Sequence, residues 1–431
     1  MILLLHLPLR HILAWLCFAL SGGLAASASA APADPELAPL LDEDDSPSAT
    51  VRIDLLTVGP GDHILTRAGH AALAVVEQWP NGLSATTVYG YGDTDFTDPW
   101  LGARFLFGQP RFRLAIAGDL WSFVDLYGPT ENRDVYRQQL ALAPADAVRV
   151  AEHLARTAEP DRREYPYHYL ERTCTTEIRT LLDDVLGGSI AAQLSDTDPW
   201  TVRDYQQLTF ASDGVAAVLG DVFFGRLHDQ PITRHYALMW PDRMRAYLQQ
   251  VRVPDPSGGT GTVPLAGPPE QMAEREGTVA TQPTNFTSWF APAAGLLVLF
   301  VGWRLRPKGD APLRPNRLAG AWLLAWSLPV GLAGFTIAVF GIASTIPELG
   351  DNELALSLLV TDVVLVAPAV RWLLGRAAIP VWLTRYATAR LVVVGLAVAL
   401  RGVGVFVQEP WAIAPSSLLC SIALWWVVRR P

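Results

Sequence analysis

The sequence predicts an α+β soluble domain of roughly two hundred residues, followed by an all-α bundle of about five transmembrane helices. Three observations predict it. Residues 51–253 begin as short β-branched runs between turn residues and continue as amphipathic helical segments. Residues 287–428 carry long apolar blocks nearly free of charge. The loops between those blocks alternate in charge.

The N-terminus reads as a secretory signal over 1–30. Arg10 and His11 precede the apolar run 12–20, and Ala28, Ser29 and Ala30 form a small-residue cleavage pattern. An uncleaved anchor is the alternative, and either way the next domain is exported. Residues 31–50 form an acidic, proline-containing linker with Asp42, Glu43, Asp44 and Asp45. The net charge of −9 argues against nucleic acid as a partner.

Within 51–253, the runs 51–58, 71–77, 86–91, 112–116 and 135–142 read as strands. Residues 143–157 read as a helix opened by Pro144. Residues 175–186 place Ile178, Leu181, Leu182, Val185 and Leu186 on one helical stripe, closed by Gly187 and Gly188. Gly258, Gly259, Gly261, Gly267, Pro268 and Pro269 mark 254–286 as a second linker.

The region 287–431 is expected to be the membrane domain, with spans at 287–303, 318–343, 354–374, 391–407 and 411–428. Arg304, Arg306, Lys308, Arg314 and Arg317 fill the first loop, and Glu348, Asp351 and Glu353 the second. Arg371, Arg376, Arg385 and Arg390 fill or flank the third, Glu409 marks the fourth, and Arg429 and Arg430 end the chain. That alternation orients the soluble domain outward. Two charges fall inside the expected spans, Asp362 and Arg401, at matching depth from the outer face. Intramembrane charges need partners, so an Asp362–Arg401 pair is expected. Arg401 reaching the outer phosphates, or holding a substrate phosphate, are the alternatives.

Of the three cysteines, Cys17 lies in the signal and Cys420 in the last span, leaving Cys174 as the lone thiol of the exported domain. It stands among Arg172, Thr173, Thr175, Thr176 and Glu177 at the start of the amphipathic helix. There the macrodipole favours a thiolate, with a depressed pKa, and the free N–H groups can hold an oxyanion. Thr173 or Thr175 can cap the turn. The bland alternative is a small buried residue. A thiol nucleophile needs a base, and His70 opens a strand directly after Gly69. His63, His153, His168, His228 and His235 compete with it; His168 is nearest in sequence to the thiol but sits in an aromatic stretch. No metal is expected, because the histidines and Cys174 lack close ligand spacing.

The pairs Gly69-His70, Tyr91-Gly92 and Asp95-Phe96, then Cys174-Thr175-Thr176 with Arg179, resemble the N-terminal periplasmic domain of the Lnb-type lipoprotein N-acyltransferases. So does the closing series Leu219-Gly220, Asp229-Gln230-Pro231 and Met239-Trp240-Pro241, and five C-terminal helices fit that family's membrane domain. Two flanks depart from the family pattern: Arg172-Thr173 stands where it has Asp-Asn, and Glu177-Ile178-Arg179-Thr180 where it has Arg-x-Arg-Asp. The resemblance implies a permuted papain-like fold with a Cys174–His70 dyad, and Tyr91, Asp95, Thr173 and Arg179 as supporting candidates. It implies a cofactor-free enzyme of the bacterial inner membrane, its soluble domain facing the periplasm. Phospholipid would be the acyl donor and a lipoprotein N-terminal amine the acceptor. A hydrolase of lipid esters or cell-wall peptides, and an inactive envelope-binding module, are the alternative readings.

Overall fold

The computed structural model describes residues 49–429 except 64, 65, 109, 308–315 and 377. The expected signal and nearly all of the acidic linker lie outside the described residues. The chain divides into two compact units. One runs to Pro199 and resumes from Ile232 to Val279; the other takes Trp200–Pro231 and continues from Ala280 to the end.

The first unit is built on β1 (Thr50–Val58), β2 (His70–Gln78), β3 (Ser84–Asp93), β4 (Arg111–Ile116), β5 (Val135–Gln139), β6 (Glu164–Pro166) and, after the short hairpin β7 (Arg252–Pro254) and β8 (Thr262–Pro264), β9 (Glu270–Ala273). Seven of these form one sheet in the order β6-β4-β3-β2-β1-β5-β9. Every neighbouring pair in it is antiparallel. The central strands carry almost unbroken aliphatic runs, as strands covered on both faces do: Leu55, Leu56, Ala71, Ala72 and Leu73 are all fully buried.

Four helices of this unit bear on the site: α1 (Leu101–Phe107), α2 (Leu120–Asp125), α3 (Pro144–Thr157) and α4 (Cys174–Val185). Phe123 and Val124 of α2 pack with Leu56, Val58, Ala72, Ala74 and Val88. Helix α4 buries Ile178, Leu181 and Leu182, and the expected stripe is therefore its core face. Gly187 and Gly188 end it with φ of 64° and 81°.

The expected linker 254–286 is partly structured. β9 pairs with β5, and Arg275 reaches the backbone oxygens of Pro60 at 3.2 Å and Asn132 at 3.0 Å. Strands this short show no periodicity in a sequence.

The boundary expected at 253 also differs from the structure, because residues 200–231 belong to the second unit. Polar groups from Thr287 onward in the same unit satisfy buried groups of this segment. The Thr287 hydroxyl donates to Asp221 at 2.9 Å. The Asn352 amide donates to the carbonyls of Val222 at 2.8 Å and Phe223 at 3.1 Å, and that of Gln408 to Phe224 at 3.1 Å.

The second unit holds α5 (Thr287–Leu305), α6 (Arg317–Ala343), α7 (Val366–Leu373), α8 (Val381–Gly402) and α9 (Ile413–Val428). Three of them, α5, α6 and α8, are long and apolar enough to cross a membrane. A fourth span exists if Pro347–Leu356 and Val360–Leu373, bent by 59°, count as one. The expectation of five spans is corrected here. The third segment is broken, and α9, with 16 residues, is shorter than a span. Pro368 lies in the first turn of α7 and has no N–H to give a preceding α-turn, so regular helix starts only beside it. The broken backbone lies directly against α6: a side chain on Gly334 would collide with the Leu358 carbonyl oxygen, and one on Gly331 would meet the Val363 nitrogen at 2.7 Å.

The expected Asp362–Arg401 pair is not formed. Asp362 pairs with Arg390, whose Nε and Nη2 lie 2.7 Å and 2.9 Å from its two carboxylate oxygens. Both residues are buried. Tyr386 donates to the same carboxylate at 2.7 Å, while Arg390 Nη1 reaches the Ser417 carbonyl at 3.1 Å and the Ser421 hydroxyl. Arg401 instead donates to the backbone oxygen of Gln408. Arg390 was expected to flank a loop; α8 begins ten residues earlier than the fourth expected span and carries it into the buried interior.

Candidate active site

The site forms where the first residue of β2, His70, and the first residue of α4, Cys174, come together. Thr173 is the N-cap of α4. Its hydroxyl accepts from the Thr176 N–H at 3.3 Å, and its own N–H donates to the Thr176 hydroxyl at 2.6 Å. The neighbouring Thr175 hydroxyl donates to the Met239 carbonyl at 2.5 Å. These bonds fix the helix start and hence the thiol.

Two glycines make room for the two candidate residues. Gly69 has φ of +88°, and a side chain there would lie 2.7 Å from the Val58 carbonyl oxygen and 3.0 Å from Pro241. No other residue fits that approach, so the glycine sets the entry into β2 at His70. Gly92, with φ of +106°, lies beside both candidate side chains: a Cβ built there would be 3.8 Å from Cys174 Cβ and 4.0 Å from His70 Cε1. The Ala71 backbone, next to His70, hydrogen-bonds the Cys174 thiol. Structure therefore brings together the two residues that sequence chemistry singled out.

His70 stacks on Tyr127 at 5.4 Å and Phe123 at 6.4 Å between ring centroids. Burial first, and the nearby Arg133 guanidinium second, lower its pKa to about 3. The imidazole is thus neutral at physiological pH, and the same burial makes it a weaker base than free imidazole. Burial also pushes the Cys174 thiol up from its ordinary range, against the opposing pull of backbone hydrogen bonds from Ala71 and Thr175 and of Arg133. The expected depression at the helix terminus is overturned, because removal from water outweighs the favourable dipole. At rest the pair is a neutral thiol beside a neutral imidazole.

A labelling prediction follows from that sign. Thiolate is the reactive form, and a raised pKa lowers its fraction at every pH below it. Iodoacetamide is expected to alkylate Cys174 more slowly than free cysteine at neutral pH, with the rate still climbing above about pH 8.5. A Cys174 rate above that of free cysteine at pH 7 would show a preformed ion pair instead.

The supporting candidates take other roles. Asp95 is exposed and accepts from the Thr97 N–H at 2.9 Å and hydroxyl at 2.6 Å, closing its own turn. Tyr91 is buried, its ring edge-on to Tyr165 at 5.8 Å, and its hydroxyl bonds Thr157. Arg179 donates to the carbonyls of His235 at 3.4 Å and Tyr236 at 3.5 Å, tying α4 to the returning chain. The competing His168 accepts the N–H groups of Leu170 at 3.3 Å and Glu171 at 3.2 Å on Nδ1, which shapes the loop before the thiol.

Sequence reasoning missed Tyr127, Arg133 and Tyr165. Tyr127 and Arg133 stack as a cation–π pair at 5.1 Å behind His70, and a π-helical turn, Leu126–Thr130, aims the tyrosine there. No spacing relative to Cys174 or His70 marks these residues. Among the described residues, no group of three or more histidine, cysteine or carboxylate side chains is placed to hold a metal.

A family model described as the Lnb N-terminal periplasmic domain matches residues 41–208, a stretch that includes both His70 and Cys174. No curated protein and no solved structure matches the chain. Residues 41–208 are therefore similar to the Lnb N-terminal periplasmic domain, and in this chain they are followed by apolar helices of membrane-spanning length.

Proposed function

We propose that the chain is an inner-membrane acyltransferase that moves a fatty acyl chain from phospholipid, through a Cys174 thioester, to the N-terminal amine of a lipoprotein. One observation carries the reading: Cys174 at a capped helix start shares the flank of Gly92 with a neutral His70. The domain is read as permuted papain-like, the histidine strand preceding the cysteine helix in the chain. As the Cys174 sulfur adds to the ester carbonyl, His70 takes the thiol proton. The C–O bond then breaks, and His70 returns the proton to the departing lysophospholipid oxygen. The acceptor amine adds to the thioester, loses a proton to His70, and expels the sulfur, which recovers that proton. Anchoring by the membrane helices raises the effective concentration of the thiol against lipid.

The test is intact-mass analysis of the full chain in phosphatidylethanolamine vesicles. An adduct of one acyl mass is expected on the parent, absent from Cys174→Ala, and discharged by an amine-terminated diacylglyceryl-cysteine peptide faster than by water. Discharge by water at the same rate would make the protein a hydrolase. No adduct at all would leave only the binding-module reading.

A further inference from the structure

The Tyr165 hydroxyl is buried, with the residue 6% exposed, and it has no hydrogen-bond partner among the described residues. Such a group costs about 1–3 kcal/mol in a folded protein and calls for an explanation. Its place in the sheet supplies one. Tyr165 of β6 sits opposite Phe112 of β4, and Leu114, two residues along β4, sits opposite Tyr91 of β3. Side chains directly opposite, and two apart along a strand, share a face, so these four side chains line one side of the sheet. The start of α4 lies on that side: Arg172, two residues before the thiol, holds its guanidinium 5.5 Å above the Tyr165 ring.

We propose that Tyr165 is a catalytic residue whose hydroxyl donates a hydrogen bond to the oxyanion formed when Cys174 adds to a carbonyl, an assignment that rests on the thioester reading above. The nearer hydroxyls in the chain are already engaged: Thr173 in the helix cap, Thr175 on the Met239 carbonyl. The Tyr91 hydroxyl bonds Thr157. Of these, the Tyr165 hydroxyl alone is buried with no partner among the described residues. Burial first, and then the adjacent Cys174, push its pKa far up, so the phenol stays protonated and serves as a donor. As the S–C bond forms, the carbonyl π pair moves onto oxygen and meets the Tyr165 O–H, which shares its proton without giving it up. On collapse that pair returns to the carbonyl, the C–O bond to the leaving group breaks, and the leaving oxygen takes the proton held by His70. A donor waiting without a ground-state partner is preorganised for charge that exists only in the transition state.

The test compares Tyr165→Phe with the parent, both as the full chain in detergent. The probe is p-nitrophenyl butyrate, whose burst of p-nitrophenol reads acylation of Cys174 independently of any lipid. Loss of one oxyanion donor is expected to slow the burst by about 10²–10³-fold. The iodoacetamide rate of Cys174 should stay unchanged, because attack on an alkyl halide forms no oxyanion. The melting temperature should be equal or higher, because an unpaired buried hydroxyl has been removed. A burst within about threefold of the parent overturns the assignment. So does a lowered melting temperature, which would reveal a structural partner for the hydroxyl. A parent that bursts with the ester yet takes no acyl group from phosphatidylethanolamine vesicles refutes the proposed donor alone, and Tyr165 is still judged on the burst. A parent without burst or adduct refutes both.

Discussion

Cys174→Ala and His70→Ala are each expected to lower acyl transfer by at least about 10⁴-fold, and the double variant to be scarcely worse than either. In the proposed mechanism the two side chains, both beside Gly92, act as one unit, so removing either removes the transfer of a proton along with the attack. The resting state sharpens the expectation. Because burial raises the thiol and lowers the imidazole, no thiolate is held in store, and the sulfur becomes nucleophilic only as His70 receives its proton. A Cys174 variant without its base therefore has little residual route. The measurement is transfer of a radiolabelled acyl chain in vesicles, with expression and membrane insertion checked alongside. His168→Ala serves as the control, since that ring holds the loop before α4 through backbone N–H groups and should cost far less. Equal losses at His168 and His70 would remove the assignment of the base, and near-normal turnover by Cys174→Ala would end the thioester mechanism.

Asp362→Ala and Arg390→Ala are each expected to destabilise the membrane unit by about 3–5 kcal/mol, because each leaves the other charge buried and uncompensated. Asp362 loses two guanidinium bonds, of 2.7 Å and 2.9 Å, and keeps only Tyr386 and its own surroundings. Arg390 would retain serine oxygens but no counter-charge. Replacing both together, Asp362→Leu with Arg390→Met, should recover much of the loss, since apolar side chains of similar volume often match or exceed a buried pair. Arg401→Ala should cost less than either, as its guanidinium is only half-buried and hydrogen-bonds the Gln408 backbone oxygen near the end of α8. The readout is thermal unfolding of each variant in detergent, followed by the fluorescence of Trp326, whose ring lies 5.1 Å beneath Arg390, and its neighbours. A double variant no more stable than the singles would show that the pair is not the unit that matters.

Local chemistry accounts for what was legible in advance. Strands expected at 51–58, 71–77, 86–91 and 112–116 emerge within two residues as β1 to β4, because β-branched runs between glycines and prolines have few other ways to satisfy their backbone. The helix after Cys174 emerges with its expected core stripe, closed by Gly187 and Gly188. The dyad candidates were legible too, for a lone thiol at a helix start and a histidine after a glycine carry their chemistry in residue type and position.

The sequence alone thus determined which residues could react and which segments would seek apolar surroundings. Tertiary structure decided who meets whom. It set the neutral resting state of Cys174 and His70, since desolvation depends on everything packed around a group and not on its neighbours in the chain. It brought Tyr165, from an edge strand of three residues, onto the face of the sheet where α4 begins. It drew residues 200–231 into the membrane unit, where their buried carbonyls found donors on Asn352 and Gln408. It gave Asp362 the partner Arg390 and not Arg401, because hydropathy counts a charge as a mark of exposure, and only a folded bundle can supply the carboxylate that lets an arginine stay buried.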